Sequence, residues 1–292
     1  GLHPNNQIKN SKKTLSYNEW LNKLGYDGPN PWNDWANSAE GENGEILSGW
    51  RLRNSNKPAR IPEEHSETAF MTNRAMEFIE ESKDKPWFLH LSYIKPHWPY
   101  MAPAPYHNMY SANEFYPVHR NDAERNNDHP VYKAFMENSI SKTFSKDEVR
   151  NTVLSGYMGL IKQIDDNLGR LFKFLKESGH MEDTMIIFTS DHGDYQGDHW
   201  LGEKELFHEQ SVRVPMIIYD PSEYANKTRG TKEQRFIEAI DLLPTFLDAV
   251  ESPVSKHRLE GNSLIPIIKG EEVENWKDFV FSEIDYSFNE AR

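Results

Sequence analysis

Two short apolar runs constrain the fold of this chain more than any other feature. TMIIFTS (184–190) and VPMIIY (214–219) each read as buried strands, and a polar stretch rich in turn residues separates them. Such runs are typical of central strands that helices cover on both faces. An amphipathic helical pattern over 145–175 precedes the first run, and a second helical pattern over 242–250 follows the other. Ser145 with Glu148 is a candidate capping box for the first helix, and Gly179 is placed to end it. This alternation of helix and strand predicts an α/β fold.

The composition changes near residue 60. Residues 1–60 are rich in Asn, Gly, Pro and Trp and lack periodicity, which predicts an irregular segment packed on the core. Residues 61–292 carry the periodic patterns and are predicted to form that core. Within it, Ser66 is a candidate helix cap, and WFLHLSY (87–93) predicts a buried strand. Residues 100–145 are predicted to be a long connection with short helical pieces, either a functional lid or a variable surface loop.

The composition also excludes several classes of protein. The 292 residues include no cysteine, so the chain contains no disulfide, thiolate metal site or cysteine nucleophile. A net charge of -13, without a dense cluster of Lys and Arg, argues against nucleic acid as a partner. No apolar run approaches the roughly 18 residues that a membrane-spanning helix needs. We therefore predict neither a nucleic-acid nor a membrane partner.

The most informative segment is TSDHGDYQGDHWLGEKELFHEQSVRVP (189–215), which begins where a predicted strand ends. In open α/β sheets, ligands bind at the carboxyl ends of the strands. Asp191 and His192 stand at that point, and a carboxylate beside an imidazole can bind a divalent metal ion. The residues alone leave open that this pair is only a polar turn. Lys204 follows in the same segment and offers a point charge for an oxyanion.

Several motifs occur in a characteristic order. The segment that begins at Asp191 reads D-H-G, then Lys204, then E-x-S-x-R-x-P directly before an apolar strand. SYIKPHWPY (92–100) contains a P-H-x-P turn, and IDLLPTFLDAV (240–250) and LEGNSLIPIIKG (259–270) follow downstream. In this order the motifs resemble the sulfatase family of the alkaline phosphatase superfamily. HLSYIKPHWPY and GDHWLGEKELFHE are most similar to its phosphonate monoester hydrolases and arylsulfatase-like members.

The resemblance implies an alkaline phosphatase-like (sulfatase) sheet and a metal-dependent hydrolase of sulfate, phosphate or phosphonate esters. Asp191 and His192 would be two of the metal ligands. His97 and Lys204 would be catalytic residues that contact the non-bridging oxygens of the transferred group. Fixed cations suit the negative charge that spreads over this group in the transition state. We interpret His199 and His208 as lining the substrate pocket or supporting the metal ligands, and the implied partner is a small anionic ester.

His192 bears on the identity of the metal. Many sulfatases have Asn at the corresponding position and bind calcium through oxygen ligands. An imidazole ligand shifts the preference, so one manganese or zinc ion is favoured, with calcium as the alternative. His192, His199 and His208 together leave open a second metal, as in two-metal phosphatases. Glu209 and Arg213 are predicted to form an ion pair that fixes the nearby turn.

The family's nucleophile has no counterpart in this chain. In the family it is a Cys or Ser of a C/S-x-P-x-R motif, converted to formylglycine, or a Thr or Ser in phosphatase relatives. Here there is no cysteine, and no Ser or Thr precedes x-P-x-R. The family's first metal-binding Asp pair, expected before His97, is also absent. We therefore predict a fragment that is incomplete at its amino terminus and inactive alone, with formylglycine in the missing part.

A different class of function stays open. The chain could be a non-catalytic anion-binding or assembly remnant of such an enzyme, holding anions through His97 and Lys204. An incomplete sheet would expose apolar faces and unpaired strand edges. The chain is therefore expected to form a homo-oligomer, with association with an amino-terminal partner chain as the alternative. The compartment is not determined by the sequence, and the cytoplasm is favoured over the periplasm.

Overall fold

The computed structural model describes residues 15–111, 114–126, 129–252 and 258–284. The chain forms two compact units. Among the described residues, the first unit contains those up to 175 together with 195–203, and the second contains 176–194 and those from 204 onward. The chain therefore leaves the second unit for the short loop 195–203 and then returns to it.

Helices and a few short strands make up the regular structure. The described helices are α1 (Tyr17–Lys23), α2 (Glu67–Ser82), α3 (Pro130–Glu137), α4 (Ser139–Phe144), α5 (Asp147–Glu177), α6 (Glu209–Val212), α7 (Leu242–Ala249) and α8 (Ile265–Ile268). The described strands are β1 (Ser38–Glu40), β2 (Ile46–Ser48), β3 (Ile186–Thr189) and β4 (Met216–Tyr219). None of the helices in the described part of the chain has the length and apolar character that a bilayer crossing requires.

The described strands pair in two small antiparallel sheets. β1 pairs with β2 along its full length. β3 pairs with β4 so that Ile186 lies opposite Tyr219 and Thr189 lies opposite Met216. The two apolar runs of the sequence therefore form neighbouring strands, and the mixture of helices and strands agrees with the predicted α/β class.

The predictions of buried strands are wrong in two respects. β3 is half-buried throughout and Ile217 of β4 is 63% exposed, so this described pair is not covered on both faces. WFLHLSY (87–93) forms no strand, and Phe88 within it is 66% exposed. An apolar run shows that a segment prefers burial, but a neighbouring strand must supply the hydrogen bonds and the cover. No strand among the described residues pairs with 87–93.

Two helix ends follow the local chemistry that the sequence predicts. Ser66 caps α2, since its Oγ accepts a hydrogen bond from the Ala69 amide at 3.1 Å. α5 ends at Glu177, and Gly179 follows with a φ of 81°. This left-handed conformation is strained for other residues but costs glycine little.

The start of the long helix differs from its prediction. α5 begins at Asp147, because Ser145 ends α4 and its Oγ donates to the Ser141 carbonyl at 2.9 Å. The Ser145 side chain therefore completes the preceding helix and does not cap the following one. α3 and α4 are the short helical pieces expected within the connection 100–145.

Two apolar clusters form the core of the first unit. The cluster along α5 contains Leu52, Tyr100, Ala102, Tyr106, Phe144, Val153 and Leu160. The cluster between α1 and α2 contains Tyr17, Leu21, Ala36, Ala59, Ile61 and Phe70. Burying a large apolar side chain of this kind stabilises the fold by roughly 1.5–3 kcal/mol. The predicted division into residues 1–60 and 61–292 stays a prediction.

Candidate functional site

Asp191 and His192 lie directly after β3, in the second unit. The His192 Nε2 atom is 3.5 Å from the Asp191 Oδ2 atom, and the Asp191 side chain is 86% exposed. The His192 Nδ1–H donates to the Gly193 carbonyl at 2.7 Å. Because a carbonyl only accepts, this bond places a proton on Nδ1 and leaves the Nε2 lone pair of the neutral ring available. One nitrogen and one oxygen ligand can thus reach the same metal ion.

The turn that carries this pair has room only for a glycine. The Gly193 amide donates to the Ser211 carbonyl at 2.7 Å. A Cβ at Gly193 would lie 2.0 Å from the Gln210 carbonyl oxygen, far inside contact distance. Ser211 is 4% exposed, and its Oγ donates to the Lys204 carbonyl. Ser211 thereby joins the turn of the ligand pair to the segment of Lys204. This role of Ser211 was not predicted from the sequence, although Ser211 is the Ser of the E-x-S-x-R motif.

Lys204 and His208 follow in the second unit, and both residues are half-buried. The predicted ion pair between Glu209 and Arg213 is present, with 3.1 Å between the Oε2 and Nη1 atoms. Both side chains are largely exposed, at 73% and 80%, and exposed pairs contribute only about 0–1 kcal/mol. The buried hydroxyl of Ser211 therefore holds this turn more firmly than the ion pair does.

The donor atoms of Asp191 and His192 fit a metal ion, but they do not complete a site. Among the described residues, no three His, Asp or Glu side chains are placed to hold one metal ion. Two ligands seldom hold a divalent ion, so tight binding needs ligands from outside the described residues. The assignment of Asp191 and His192 as metal ligands, and of Lys204 and His208 as substrate contacts, stays a prediction.

His97 belongs to the first unit. Its amide donates to the Ile94 carbonyl at 3.0 Å, and its Nδ1–H donates to the Trp98 carbonyl at 2.7 Å. The residue is exposed. With a proton held on Nδ1, the Nε2 atom can donate a hydrogen bond only when the ring is protonated. The catalytic role of His97 stays a prediction.

A buried lysine supports the turn that carries His97, and sequence analysis missed it. Lys95 is 8% exposed, and its Nζ donates to Asn37 Oδ1 at 2.6 Å and to the Pro99 carbonyl at 2.5 Å. Burial lowers the pKa of Lys95 to about 8, and the negative charge of Glu67 opposes that shift. A single lysine in a polar segment gives no signal of burial, because its partner Asn37 is distant in the sequence.

His199 pairs with a carboxylate within the first unit. It lies in the loop 195–203 of the first unit, where its Nδ1 is 2.7 Å from Glu124 Oε1. Burial acts to raise the pKa of Glu124, but hydrogen bonds from the Asn121 amide and from His199 outweigh it and lower the pKa. The described residues contain no group of three His, Asp or Glu side chains that could hold a metal ion, so the two-metal alternative stays a prediction.

Comparison with known proteins identifies the family. The chain matches the Sulfatase family model over residues 3–252. It is 37% identical over 246 residues to the multifunctional alkaline phosphatase superfamily protein PehA of Trinickia caryophylli, which covers 80% of this chain and 47% of that protein. It is 29% identical over 260 residues to an arylsulfatase of Clostridium perfringens, covering 88% and 53%. The chain thus spans about half the length of the curated relatives it matches.

Solved structures agree with this family. The fold is similar to a phosphonate monoester hydrolase from Silicibacter pomeroyi, with a TM-score of 0.78, 30% identity, and coverage of 89% of this chain and 51% of that one. The phosphonate monoester hydrolase of Agrobacterium radiobacter gives 0.76 and 29%, with coverage of 90% and 52%. These similarities confirm the predicted alkaline phosphatase-like fold class. A family model over most of the chain, together with these relatives, establishes that the chain belongs to the sulfatase family of the alkaline phosphatase superfamily.

Proposed function

We propose that the whole enzyme, of which this chain forms about half, hydrolyses sulfate, phosphate or phosphonate esters with one divalent metal ion. The observation that supports this most is the pair of Asp191 and His192, with 3.5 Å between donor atoms and a proton held on Nδ1 of the histidine. A carboxylate oxygen and a neutral imidazole nitrogen at that separation suit a single divalent ion. The nitrogen ligand favours manganese or zinc, with calcium as the alternative.

Each of the remaining predicted residues has a separate proposed role. Lys204 stabilises the negative charge on the non-bridging oxygens of the transferred group. His97, once protonated, donates from Nε2 to a substrate oxygen or to the leaving group. His208 lines the substrate pocket. The metal, when bound, polarises the transferred group. Members of the sulfatase family generally use formylglycine as the nucleophile, and we expect it from outside this chain.

The test is an assay of the complete enzyme. The coding sequence upstream of Gly1, read in frame, should encode a Cys- or Ser-x-Pro-x-Arg motif. The enzyme made from the complete reading frame should hydrolyse para-nitrophenyl sulfate, phosphate or phenylphosphonate esters. Lys204→Ala should lower kcat/KM by about 100-fold or more, because it removes a charge used in the transition state. The control is Lys83→Ala, at an exposed lysine of an ordinary ion pair. Equal losses in both variants would contradict the proposed role of Lys204.

This chain alone is proposed to be inactive. It has no cysteine and no Ser or Thr in an x-P-x-R context, and no three His, Asp or Glu side chains among its described residues could hold one metal ion. The purified 292 residues, supplied with manganese or zinc, should show no ester turnover. Turnover that disappears in the Lys204→Ala variant would contradict this.

A non-catalytic anion-binding or assembly role is the second candidate. The absence of a three-ligand group among the described residues favours it. In this role, His97 and Lys204 hold sulfate or phosphate without turnover. Calorimetry with either anion should then give heat that the Lys204→Ala variant lacks. No heat at millimolar anion would remove this candidate.

As partners we propose a small anionic ester and a second copy of the chain, with neither nucleic acid nor membrane. Several large apolar side chains of the second unit are exposed, among them Val250 at 72%, Phe279 at 70% and Phe281 at 71%. Exposed apolar side chains favour association when they form a contiguous patch. Light scattering that shows only monomers at working concentration would contradict the homo-oligomer. For the compartment, we propose the cytoplasm before the periplasm.

A further inference from the structure

Trp50 in the first unit combines exposure with a fixed position. Its side chain is among the large apolar ones that face solvent, with 43% of the residue exposed. Its indole Nε1–H donates to Asn33 Oδ1 at 2.7 Å. Its ring makes edge contacts with Trp32 and Trp98, at centroid distances of 6.2 and 5.5 Å. The ring is therefore held in place on several sides while part of its surface is open, as in an aromatic recognition site.

The same ring lies close to the turn that carries His97. Trp98, which contacts Trp50, is the next residue in the chain and accepts the hydrogen bond from His97 Nδ1. The Trp98 Nε1 atom is buried and has no hydrogen-bond partner among the described residues. Lys95 holds the other side of this turn through the Pro99 carbonyl. The Trp50 ring thus contacts the residue that follows His97, the histidine proposed to bind the ester group.

The chain around Trp50 is locally basic within an acidic protein. Residues 46–62 contain no Asp or Glu but four Arg and Lys residues, against a net charge of -13 for the whole chain. Arg51 and Arg53 follow Trp50 within three residues of the sequence, and both are exposed. The described residues provide no ion pair for either of them. Arg60, by contrast, stacks on Trp35 at 4.0 Å. Exposed cations of this kind attract a negatively charged ligand against the overall field.

We infer that Trp50, with Arg51 and Arg53, determines specificity for the organic part of the ester. The ligand class is an ester of a planar ring that carries a second negative charge. The ring stacks on Trp50, the second charge lies near the two arginines, and the ester group reaches His97. The inference rests on the proposed role of His97, and on nothing in the second unit.

Three sulfate esters separate these contributions: methyl sulfate, phenyl sulfate and para-carboxyphenyl sulfate. Ligand-observed NMR on the 292-residue chain measures a dissociation constant for each. Affinity should rise from the methyl to the phenyl ester by about fivefold, since an aromatic pair contributes beyond its buried area. The carboxylate should add about threefold more, as expected for exposed charges. The second gain should shrink as salt is added.

Matched variants assign each gain to its residue. Trp50→Leu should remove the gain from the ring, and Trp50→Tyr should retain most of it. Tyr116→Leu, which removes a ring that is 91% exposed elsewhere in the same unit, should change nothing. The double variant Arg51→Gln with Arg53→Gln should remove only the gain from the carboxylate. Circular dichroism confirms that each variant is folded. If Trp50→Leu does not fold, the loss of the carboxylate gain in the double arginine variant still tests the inference.

The outcomes separate this inference from the proposed function. Equal affinity for methyl and phenyl sulfate, a ring gain that survives Trp50→Leu, or no binding of the carboxyphenyl ester at millimolar concentration would overturn the inference. His97→Ala should weaken the binding of all three esters by the same factor. If it weakens none of them while Trp50→Leu still removes the ring gain, recognition by Trp50 stands and the proposed role of His97 is wrong.

Discussion

Different kinds of interaction stabilise the interior of each of the two units. The first unit contains two clusters of buried aromatic and aliphatic side chains. In the second unit, the buried apolar side chains among the described residues are few: Leu206, Ala225, Leu264 and Ile265. A polar network stands out there instead. Lys277 Nζ lies 2.9 Å from Asp241, which is fully buried, and 2.7 Å from Glu238.

This difference predicts different sensitivities. An apolar core responds to lost volume, because each cavity forfeits transfer free energy and contacts. A buried ionic network responds to lost charge, because the remaining partner stays buried without compensation. The first unit should therefore be sensitive to truncation, and the second to neutralisation and to acid. Both proposed metal ligands lie in the second unit, so the stability of that network bears directly on the candidate site.

The largest effect is expected from truncating the core of the first unit. Phe144→Ala removes a side chain that is 1% exposed and should lower the free energy of unfolding by about 4 kcal/mol. Phe279→Ala makes the same change at a ring of the second unit that is 70% exposed, and should change it by less than about 0.5 kcal/mol. Chemical denaturation measures both. Similar losses would contradict the proposed difference between the buried core ring of the first unit and the exposed ring of the second.

The next effect concerns the ionic network of the second unit. Lys277→Met leaves the buried Asp241 carboxylate without its cation and should lower the free energy of unfolding by about 3 kcal/mol. Lys83→Met is the control, because its ion pair with Glu80 is about half exposed and contributes at most about 1 kcal/mol. Residue-resolved hydrogen exchange should locate the Lys277→Met loss in the second unit. A loss spread equally over both units would argue against separate networks.

Two glycines of α5 sharpen the volume argument. A Cβ at Gly159 would lie 2.1 Å from the Tyr106 carbonyl oxygen, so Gly159→Ala should destabilise by about 2 kcal/mol through overpacking. Gly169 has nothing within 4 Å of such a Cβ, and Gly169→Ala should stabilise by about 0.5–1 kcal/mol through its helix propensity. Thermal unfolding of both variants tests this. A destabilised Gly169→Ala variant would show that α5 packs differently there.

The smallest effect is a dependence on pH. The hydrogen bond from Lys277 lowers the pKa of Glu238 below its ordinary value of 4.5, although burial opposes this. Because the folded pKa is depressed, its stabilising contribution is complete above 4.5 and is lost as the pH falls through the lower folded value. The free energy of unfolding should therefore fall less steeply with acid in the Glu238→Gln variant. Identical acid profiles would contradict this.

Much of the fold could be predicted where local chemistry decides it. The Ser66 cap, the end of α5 near Gly179 and the positions of β3 and β4 all follow from residues within a few positions of each other. The burial of the strands could not be predicted, because it depends on which layer covers them. Ser145 shows the same limit on a smaller scale. Its hydroxyl could cap the start of α5 or bond to the end of α4, and it donates to the Ser141 carbonyl of α4.

The candidate site divides in the same way. Asp191 and His192 were predicted from their place after an apolar run, and the structure shows their donor atoms side by side. Ser211 and Lys95 were missed, because each acts through backbone or side-chain partners elsewhere in the chain. The predicted ion pair of Glu209 with Arg213 forms, but it contributes little to stability because both side chains are exposed.

The sequence by itself determined the family, the lack of a cysteine nucleophile and the residue types available to bind a metal and an anion. Short motifs determine these properties, because they depend only on which residues are neighbours in the sequence and on the order of the motifs. Only the tertiary structure decided that His199 pairs with Glu124 and that Lys95 is buried beside the turn of His97. It also decided that the Trp50 ring is partly exposed while a hydrogen bond to Asn33 fixes its position. The physical reason is that burial and distant contacts depend on how the whole chain packs, and the free energy of each polar or aromatic group depends on that burial.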